Sequence, residues 1–171
     1  LLEMMKYDFV IGSVHNLPNT QDFSRFDYSD ENVDYMKMLG EYFEHVLDLA
    51  KWAKFDSLGH LTYPVRYISG DYGKKIDMSV FSEIIDEILL TLIKEKKALE
   101  INTSGYRQKL KDTMPDENIL RRYRELGGKL ITIGSDAHYA EHLGAGIDRG
   151  YELALKCGFE NVAVYQDRMP T

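Results

Sequence analysis

Residues 131–140 are ITIGSDAHYA, an apolar run that stops at Ser135 and then places Asp136 two positions before His138. The run ITIG is rich in β-branched residues, which favour a buried strand. A carboxylate and an imidazole directly after such a strand need partners, because unpaired polar groups are costly to bury. If the extended geometry continues into the motif, positions two apart point to the same side, so Asp136 and His138 are predicted to converge on one cation.

Four further segments have the composition of a strand. YDFVIGSVH (7–15), predicted to be buried on both faces, and FDSLGH (55–60) both end in histidine. ALEINTS (98–104) ends in small polar residues, and NVAVYQ (161–166) comes last. With KLITIGSDAH (129–138) as the fourth in order, the sequence predicts five strands.

Helices are predicted between these strands from apolar residues at helical spacing. They cover residues 33–52, with Ser29 and Asp30 as upstream caps, residues 81–93, residues 115–126, with Pro115 in the first turn, and residues 147–156. Residues 61–77 have no clear period and contain one proline and two glycines, so a functional lid or binding loop is predicted there.

The alternation of strands and helices predicts an α/β fold with a parallel sheet and right-handed crossovers. In such folds the loops at the carboxyl ends of the strands surround a common crevice. Polar residues cluster at that end of each predicted unit. The sequence therefore predicts one site along one edge of the sheet.

Composition limits the function classes. The 171 residues are 44% hydrophobic, enough for one core, and no apolar stretch is long enough to span a bilayer, so a cytoplasmic protein without membrane contact is predicted. A formal charge of −7 disfavours nucleic-acid binding, because phosphate backbones attract basic surfaces. The single cysteine, Cys157, has no partner for an internal disulfide and is interpreted as a packing residue.

Four residues at predicted strand ends are candidate metal ligands: His15, His60, Asp136 and His138. One histidine alone is usually structural, but three separate strands here deliver histidine to the same edge. Imidazole and carboxylate together suit zinc, iron or manganese better than calcium or magnesium. The other two histidines, His45 on a helix and His142 in a loop, are interpreted as solvated.

Several blocks of the sequence resemble a known family when they are taken in order. YDFVIGSVH, FDSLGHL, EINTSGYR and IGSDAH, followed by GFENVAVYQDRMP, are similar to the histidinol-phosphatase branch of the polymerase and histidinol phosphatase (PHP) metallohydrolases. The resemblance implies that His15, His60, Asp136 and His138 are metal ligands and that Asp136 and His138 are catalytic. It also implies hydrolysis of L-histidinol phosphate, a late step of histidine biosynthesis, at a cluster of divalent metals.

The chain departs from the family pattern at its amino end. The family begins with a strand that carries an HxH pair and later adds a metal-bridging glutamate, whereas this chain has no HxH and opens with LLEMMKYDFV, which resembles a helix leading into a middle strand. A full barrel of this type needs about 250 residues. We therefore expect an incomplete parallel (β/α) barrel of the distorted TIM-like, PHP type, a single domain over residues 1–171 that lacks its N-terminal strands and some of its metal ligands.

Two arginines are candidates for binding the substrate phosphate. Arg107 follows a predicted strand end and Arg66 lies in the 61–77 loop, and guanidinium groups grip phosphate through two parallel hydrogen bonds. Glu100, inside the strand ALEIN, needs a partner if it is buried. Either it orients a histidine or it belongs to a structural ion pair, and the sequence leaves both interpretations open.

Two alternatives to a histidinol phosphatase remain at this level. The same scaffold serves nucleases and other phosphoesterases of the superfamily, although the acidic charge counts against a nucleic-acid substrate. The 171 residues taken alone also fit a non-catalytic fragment that binds metal weakly. The number of metals and the oligomeric state are not predicted by the sequence.

Overall fold

The structure is a computed structural model, and it describes residues 6–171. The principal elements, in chain order, are β1 (Ile11–Gly12), α1 (Tyr35–Trp52), β2 (Ser57–Leu58), α2 (Ser82–Lys94), β3 (Ala98–Asn102), α3 (Ser104–Arg107), α4 (Glu117–Glu125), β4 (Ile131–Gly134), α5 (Ile147–Lys156), β5 (Tyr165–Gln166) and β6 (Met169–Pro170). The helix end predicted at the amino terminus falls mostly on residues 1–5, outside the described residues.

The first four strands form a parallel sheet in the order β1-β2-β3-β4. Ser57 of β2 lies opposite Ile11 on one side and Ala98 on the other, and Asn102 at the end of β3 lies opposite Gly134 at the end of β4. The predicted α/β class is therefore confirmed. Within residues 6–171 this sheet is open, since no ladder joins β4 back to β1.

The strand predicted at 7–15 is shorter and less buried than expected. Residues Ile11 and Gly12 pair with β2, and the Ile11 side chain is 50% exposed. Because half of the Ile11 side chain is exposed, the prediction that this strand is buried on both faces was wrong. β1 lies at the edge of this sheet and pairs on one side only. The apolar composition of a strand does not by itself show that it lies at an edge.

The prediction of a fifth parallel strand at 161–166 was also wrong. One backbone hydrogen bond, from Ala163 N–H to Ile131 C=O at 2.8 Å, links this segment to β4. Its last two residues pair instead in an antiparallel hairpin with β6. Asp167 and Arg168 between them have φ of 50° and 67°, the two positive values that a type I′ turn requires, so a local hairpin replaces the parallel ladder.

The predicted helices are present, with different starting points. Asp34 caps α1 by accepting the Lys37 N–H at 3.0 Å, whereas the predicted caps lie farther upstream. Asp116 caps α4 in the same way, so Pro115 lies before the helix rather than in its first turn. The 61–77 segment is not structureless, because residues 66–71 form a π-helical turn. None of the helices within residues 6–171 combines the length and apolar character needed to cross a membrane.

One hydrophobic core includes residues of the helices and the strands; α1 packs against α2, and α2 packs against β3. Its largest fully buried side chains are aromatic and aliphatic: Phe23, Tyr28, Leu39, Tyr42, Phe43, Phe55, Leu58, Leu61, Ile68, Ile88, Leu89 and Tyr123. Cys157 is buried against this core, as the packing interpretation predicted.

A buried carboxylate joins the two ends of the chain at the amino-terminal end of the sheet. Asp56, 4% exposed, accepts the Val10 N–H at 2.8 Å and forms an ion pair with Arg168 of the C-terminal turn. The Tyr165 hydroxyl donates to the Asp56 carbonyl, and the Tyr165 ring packs on Phe9. The hairpin is thereby fixed beside the start of β1.

We expect Arg168→Ala to lower the free energy of unfolding by about 1 to 3 kcal/mol, because it leaves the buried Asp56 charge without its cation. Arg122→Ala is the matched control, since Arg122 pairs with Asp86 at 2.6 Å on the surface and should cost less than about 1 kcal/mol. Urea unfolding of both variants measures the difference. Equal losses would contradict the importance given to burial of Asp56.

Candidate metal centre

His15 and His60 come together at the carboxyl ends of β1 and β2. Their ring centroids lie 4.8 Å apart in an edge-to-face arrangement. The Tyr63 ring packs against both, with centroid distances of 4.9 Å to His15 and 4.8 Å to His60. The parallel pairing of β1 with β2 brings the two residues to the same edge, as the sequence predicted.

His60 is held in an unusual backbone conformation and is buried. Its φ is 27°, in the left-handed region, and its backbone N–H donates to Glu100 Oε2 at 2.8 Å. Burial, reinforced by the neighbouring His15, lowers the pKa of the His60 imidazole to about 4, so the ring is neutral at pH 7. Its Nδ1 atom is buried and has no hydrogen-bond partner among the described residues.

Asp136 and His138 form a second pair after β4. Asp136 Oδ1 lies 3.3 Å from His138 Nε2, so the two side chains meet, although the extended backbone on which this prediction rested ends with β4 at Gly134. Asp136 also has a positive φ, 48°. The His138 side chain is 76% exposed and that of Asp136 is 24% exposed. The pair therefore opens towards solvent, whereas His60 lies inside.

Arg66 joins the 61–77 segment to the second pair. Its NH1 atom lies 3.7 Å from Asp136 Oδ2, and its guanidinium lies over the Tyr67 ring at 5.1 Å and near the Tyr63 ring at 5.9 Å. Cation–π contact of this kind orients the guanidinium. The 61–77 segment thus contacts one of the two candidate ligand pairs, and its function stays a prediction.

Three residues near the histidines were not identified from the sequence: Tyr63, Tyr67 and Asp22. The Tyr63 hydroxyl donates to Asp22 at 3.0 Å, and the Tyr67 hydroxyl donates to the Tyr63 hydroxyl, also at 3.0 Å. Burial raises the pKa of Tyr63 far above its usual range, so the phenol keeps its proton. The sequence HLTYPVRY, which places Tyr63 and Tyr67 shortly after His60, could have indicated that these tyrosines belong beside the histidine.

Arg107 lies beside the SDAH loop and holds its backbone. NH1 donates to the Ser135 carbonyl at 2.6 Å and NH2 to the Asp136 carbonyl at 2.7 Å. A guanidinium has five N–H donors, so others remain for a ligand. Its predicted phosphate contact stays a prediction, and the contacts seen here fix the loop that carries Asp136.

Glu100 is buried between the ends of β2 and β4. Besides the His60 N–H, its Oε2 atom accepts from Asn102 Nδ2 at 3.0 Å. Burial is the largest influence on its carboxyl group and raises its pKa. Asn102 in turn accepts from the Ser104 N–H and hydroxyl, so these two residues cap a turn. A Cβ placed on Gly134 would lie 2.1 Å from Glu100 Oε1, so the carboxylate occupies the space that this glycine leaves.

The four predicted ligands are therefore brought together as two pairs, one on each side of the Glu100 position. Within residues 6–171, no group of three or more histidine, cysteine, aspartate or glutamate side chains lies close enough to hold a metal. His45 and His142 lie outside both pairs and are half-buried rather than fully solvated. His142 contacts the Tyr139 ring at 5.6 Å.

The residues present fit part of a zinc-type site. His60 presents a neutral imidazole with an unpaired buried nitrogen, and His15 lies next to it, which is the donor chemistry that such metals take. Asp136 and His138 offer one carboxylate and one imidazole. Tetrahedral coordination needs four ligands, so each pair requires partners beyond those that this geometry supplies.

Comparison with known proteins identifies the family of this chain. The profile of the PHP domain matches residues 1–104, more than half of the chain. The chain belongs to the PHP domain family. The matched region contains His15, His60 and Glu100, whereas the SDAH motif lies beyond it.

Two curated PHP relatives are similar over most of this chain. A probable histidinol-phosphatase of Thermotoga maritima is 39% identical over 142 residues, which are 83% of this chain and 58% of that protein. The histidinol-phosphatase of Lactococcus lactis is 31% identical over 166 residues, 96% of this chain and 60% of that protein. The chain thus spans about 60% of the length of these relatives.

Solved structures match the fold as well. The histidinol phosphate phosphatase of Lactococcus lactis, solved in complex with Zn, L-histidinol and phosphate, superposes with a TM-score of 0.83 at 28% identity. The match covers 99% of this chain and 64% of that one. A protein of Listeria monocytogenes at 22% identity has a TM-score of 0.61 and supports the fold alone.

We expect Gly134→Ala to destabilise the protein by about 1 to 3 kcal/mol, because the added methyl group displaces the Glu100 carboxylate. Gly40→Ala is the control. A Cβ at Gly40 meets Phe81 at 3.8 Å, and alanine in the middle of α1 should stabilise by about 0.5 to 1 kcal/mol. Thermal unfolding of both variants gives the sign of each change. A neutral Gly134→Ala would mean that Glu100 moves freely.

Proposed function

We propose that this PHP domain binds divalent metal and takes part in hydrolysing L-histidinol phosphate to L-histidinol and phosphate. The observation that carries the proposal is the pair of adjacent imidazoles, His15 and His60, with an unpaired buried nitrogen on His60. The Lactococcus relative with the same fold was solved with Zn, L-histidinol and phosphate, which supports this substrate.

The residues that would hold metal are the two pairs. His15 and His60 would supply nitrogen ligands to one ion, and Asp136 with His138 would supply an oxygen and a nitrogen. Bound divalent metal supplies the Lewis acidity and the activated water that phosphate-ester hydrolysis needs at neutral pH. Zinc is favoured by the solved relative, and iron or manganese would suit the same donors.

The other polar residues of the site would bind and orient the substrate. Arg66 and Arg107 flank Asp136 and would neutralise the charge on the phosphoryl oxygens. The carbonyl contacts of Arg107 fix its guanidinium before substrate arrives, which reduces the entropy lost on binding.

The remaining sequence predictions belong to the same proposal. Residues 1–171 would be one PHP-type domain that shares its metals with ligands of an HxH-bearing segment. The protein would act in histidine biosynthesis in the cytoplasm, on a small phosphorylated substrate and without nucleic-acid or membrane partners. The net charge of −7 supports the discrimination against nucleic acid.

The assay measures phosphate release from L-histidinol phosphate and nucleotide release from single-stranded DNA, after chelation and reconstitution with Zn²⁺ or Mn²⁺. It is run on residues 1–171 and on the same residues preceded by an amino-terminal PHP segment that carries an HxH pair. We expect little phosphatase activity from residues 1–171 and metal-dependent hydrolysis of histidinol phosphate by the longer protein, because metal-assisted hydrolysis needs a full set of ligands.

Three results would count against the proposal. Full activity of residues 1–171 alone would contradict the part of the proposal in which the metals are shared with an HxH-bearing segment, because no further ligands would be needed. A longer protein that folds and takes up metal but cleaves DNA and ignores histidinol phosphate would favour the nuclease alternative. A longer protein that folds and takes up no metal would favour a non-catalytic module.

In the active longer protein, we expect Arg107→Ala to raise KM for histidinol phosphate by roughly 10- to 100-fold, the effect of losing a charged hydrogen bond of about 1.5 to 3 kcal/mol. Arg66→Ala should raise KM less, because Arg66 lies 3.7 Å from its carboxylate partner and is otherwise held by stacking. Arg121→Ala, an exposed arginine on α4, is the control. Steady-state kinetics decide, and equal, negligible effects would remove both arginines from the substrate site.

A further inference from the structure

Glu100 lies at the junction of three strand ends although it is not one of the predicted metal ligands. It is 4% exposed, and its carboxylate touches the end of β2 through His60, its own strand through Asn102, and the end of β4 at Gly134. A buried carboxylate is costly unless its oxygens are satisfied. The contacts of Glu100 therefore indicate its role in the fold.

The contacts exclude one of the two roles that the sequence left open. Within residues 6–171 no lysine, arginine or histidine side chain forms an ion pair with Glu100. Its two hydrogen bonds come from the backbone N–H of His60 and the side-chain amide of Asn102. Glu100 is thus not part of a structural ion pair, and its partner is the backbone of a candidate ligand.

The hydrogen bond acts where the His60 backbone is strained. A non-glycine residue with φ of 27° persists when surrounding contacts hold it there. The φ of a residue sets the direction of its Cα–Cβ bond, so the same contact determines where the imidazole lies beside His15. Gly59 fits this arrangement, because a Cβ there would lie 2.8 Å from Ile11 and 3.5 Å from Glu100 Oε2.

We propose that Glu100 is a positioning residue for the metal centre: its carboxylate oxygen accepts the His60 N–H and fixes the His60 ring next to His15. Asn102, bonded to the same oxygen and anchored by Ser104, holds the carboxylate in place. The metal part of this inference rests on the proposed function, whereas the orientation of His60 is a property of the chain alone. What matters is the acceptor oxygen and its reach, not the negative charge.

Two conservative variants separate acceptor from charge. Glu100→Gln keeps an acceptor oxygen at the same distance and removes the charge. Glu100→Asp keeps the charge and withdraws the oxygens by one methylene, about 1.5 Å. Asp56→Asn is the control, because Asp56 is an equally buried carboxylate at the opposite end of β2 that makes no contact with His60.

The first measurement needs no metal. In the ¹⁵N-labelled chain, treated with a chelator, we expect the His60 amide to exchange at least tenfold faster in Glu100→Asp than in the wild type, with loss of the nuclear Overhauser contact between the His15 and His60 rings. Glu100→Gln should stay within about threefold of the wild type and keep that contact. Asp56→Asn should lower Tm and leave both His60 signals unchanged.

The second measurement is Co²⁺ binding to the same four proteins, followed by the d–d absorption spectrum. We expect Glu100→Asp to weaken Co²⁺ binding by about 10- to 100-fold, the usual effect of losing a contact that orients a ligand, and Glu100→Gln to stay near the wild type. Residues 1–171 supply only part of each ligand set, so if the wild-type chain binds no Co²⁺ the titration is repeated with the same variants in the longer, HxH-bearing protein. No Co²⁺ binding there would count against the proposed metal site, and the amide exchange would then decide the positioning role alone. The reverse ranking, with Gln impaired and Asp intact, would overturn the inference in favour of charge, and unchanged His60 exchange in both variants would overturn it outright.

Discussion

The parallel pairing of β2, β3 and β4 is the constraint on which the site depends. Because the three strands run in the same direction, their carboxyl ends meet at one edge, and residues that are 32 or more positions apart in the chain become neighbours there. His60 follows β2, Glu100 lies within β3, and Asp136 follows β4. The register of β3 against β4 places Asn102 opposite Gly134, the glycine that precedes the SDAH motif. The Glu100 side chain therefore lies against Gly134.

Each end of β2 is held by a buried carboxylate, and the two carboxylates have different tasks. Asp56 pairs with a cation, Arg168, and fixes the C-terminal hairpin beside the start of β1. Glu100 has backbone and amide partners and holds a residue that would bind metal. A buried ion pair contributes mainly because breaking it leaves an uncompensated charge, whereas an accepted N–H fixes a local geometry. One end of the sheet therefore anchors the C-terminal hairpin, and the other end carries the candidate metal ligands.

Two of the eight non-glycine residues with positive φ within residues 6–171 lie at the same edge. His60 and Asp136 both have positive φ, and each has a buried or half-buried partner that bonds its backbone, Glu100 for His60 and Arg107 for Asp136. Residues in sparsely populated regions of φ and ψ persist where surrounding contacts determine them, and such residues gather at functional sites. The backbones of two candidate ligands, His60 and Asp136, are thus each held by a side chain at this edge.

The sequence by itself determined the α/β class, the order of the first four strands and the helices between them, and the residues with ligand chemistry at strand ends. It did so because the spacing of apolar residues and the polar residues at the ends of segments are local features, which can be recognised without the tertiary structure. Only the tertiary structure decided the length and burial of the first strand and the pairing of residues 161–166. The hydrophobic pattern of a segment shows neither its position at a sheet edge nor its competition with a hairpin turn. The contacts of Glu100, Tyr63 and Arg107 also came from the structure. Each acts through a hydrogen bond or ring contact whose geometry exists only once the strands are aligned, so the sequence supplied the groups and the packing of the sheet decided their partners.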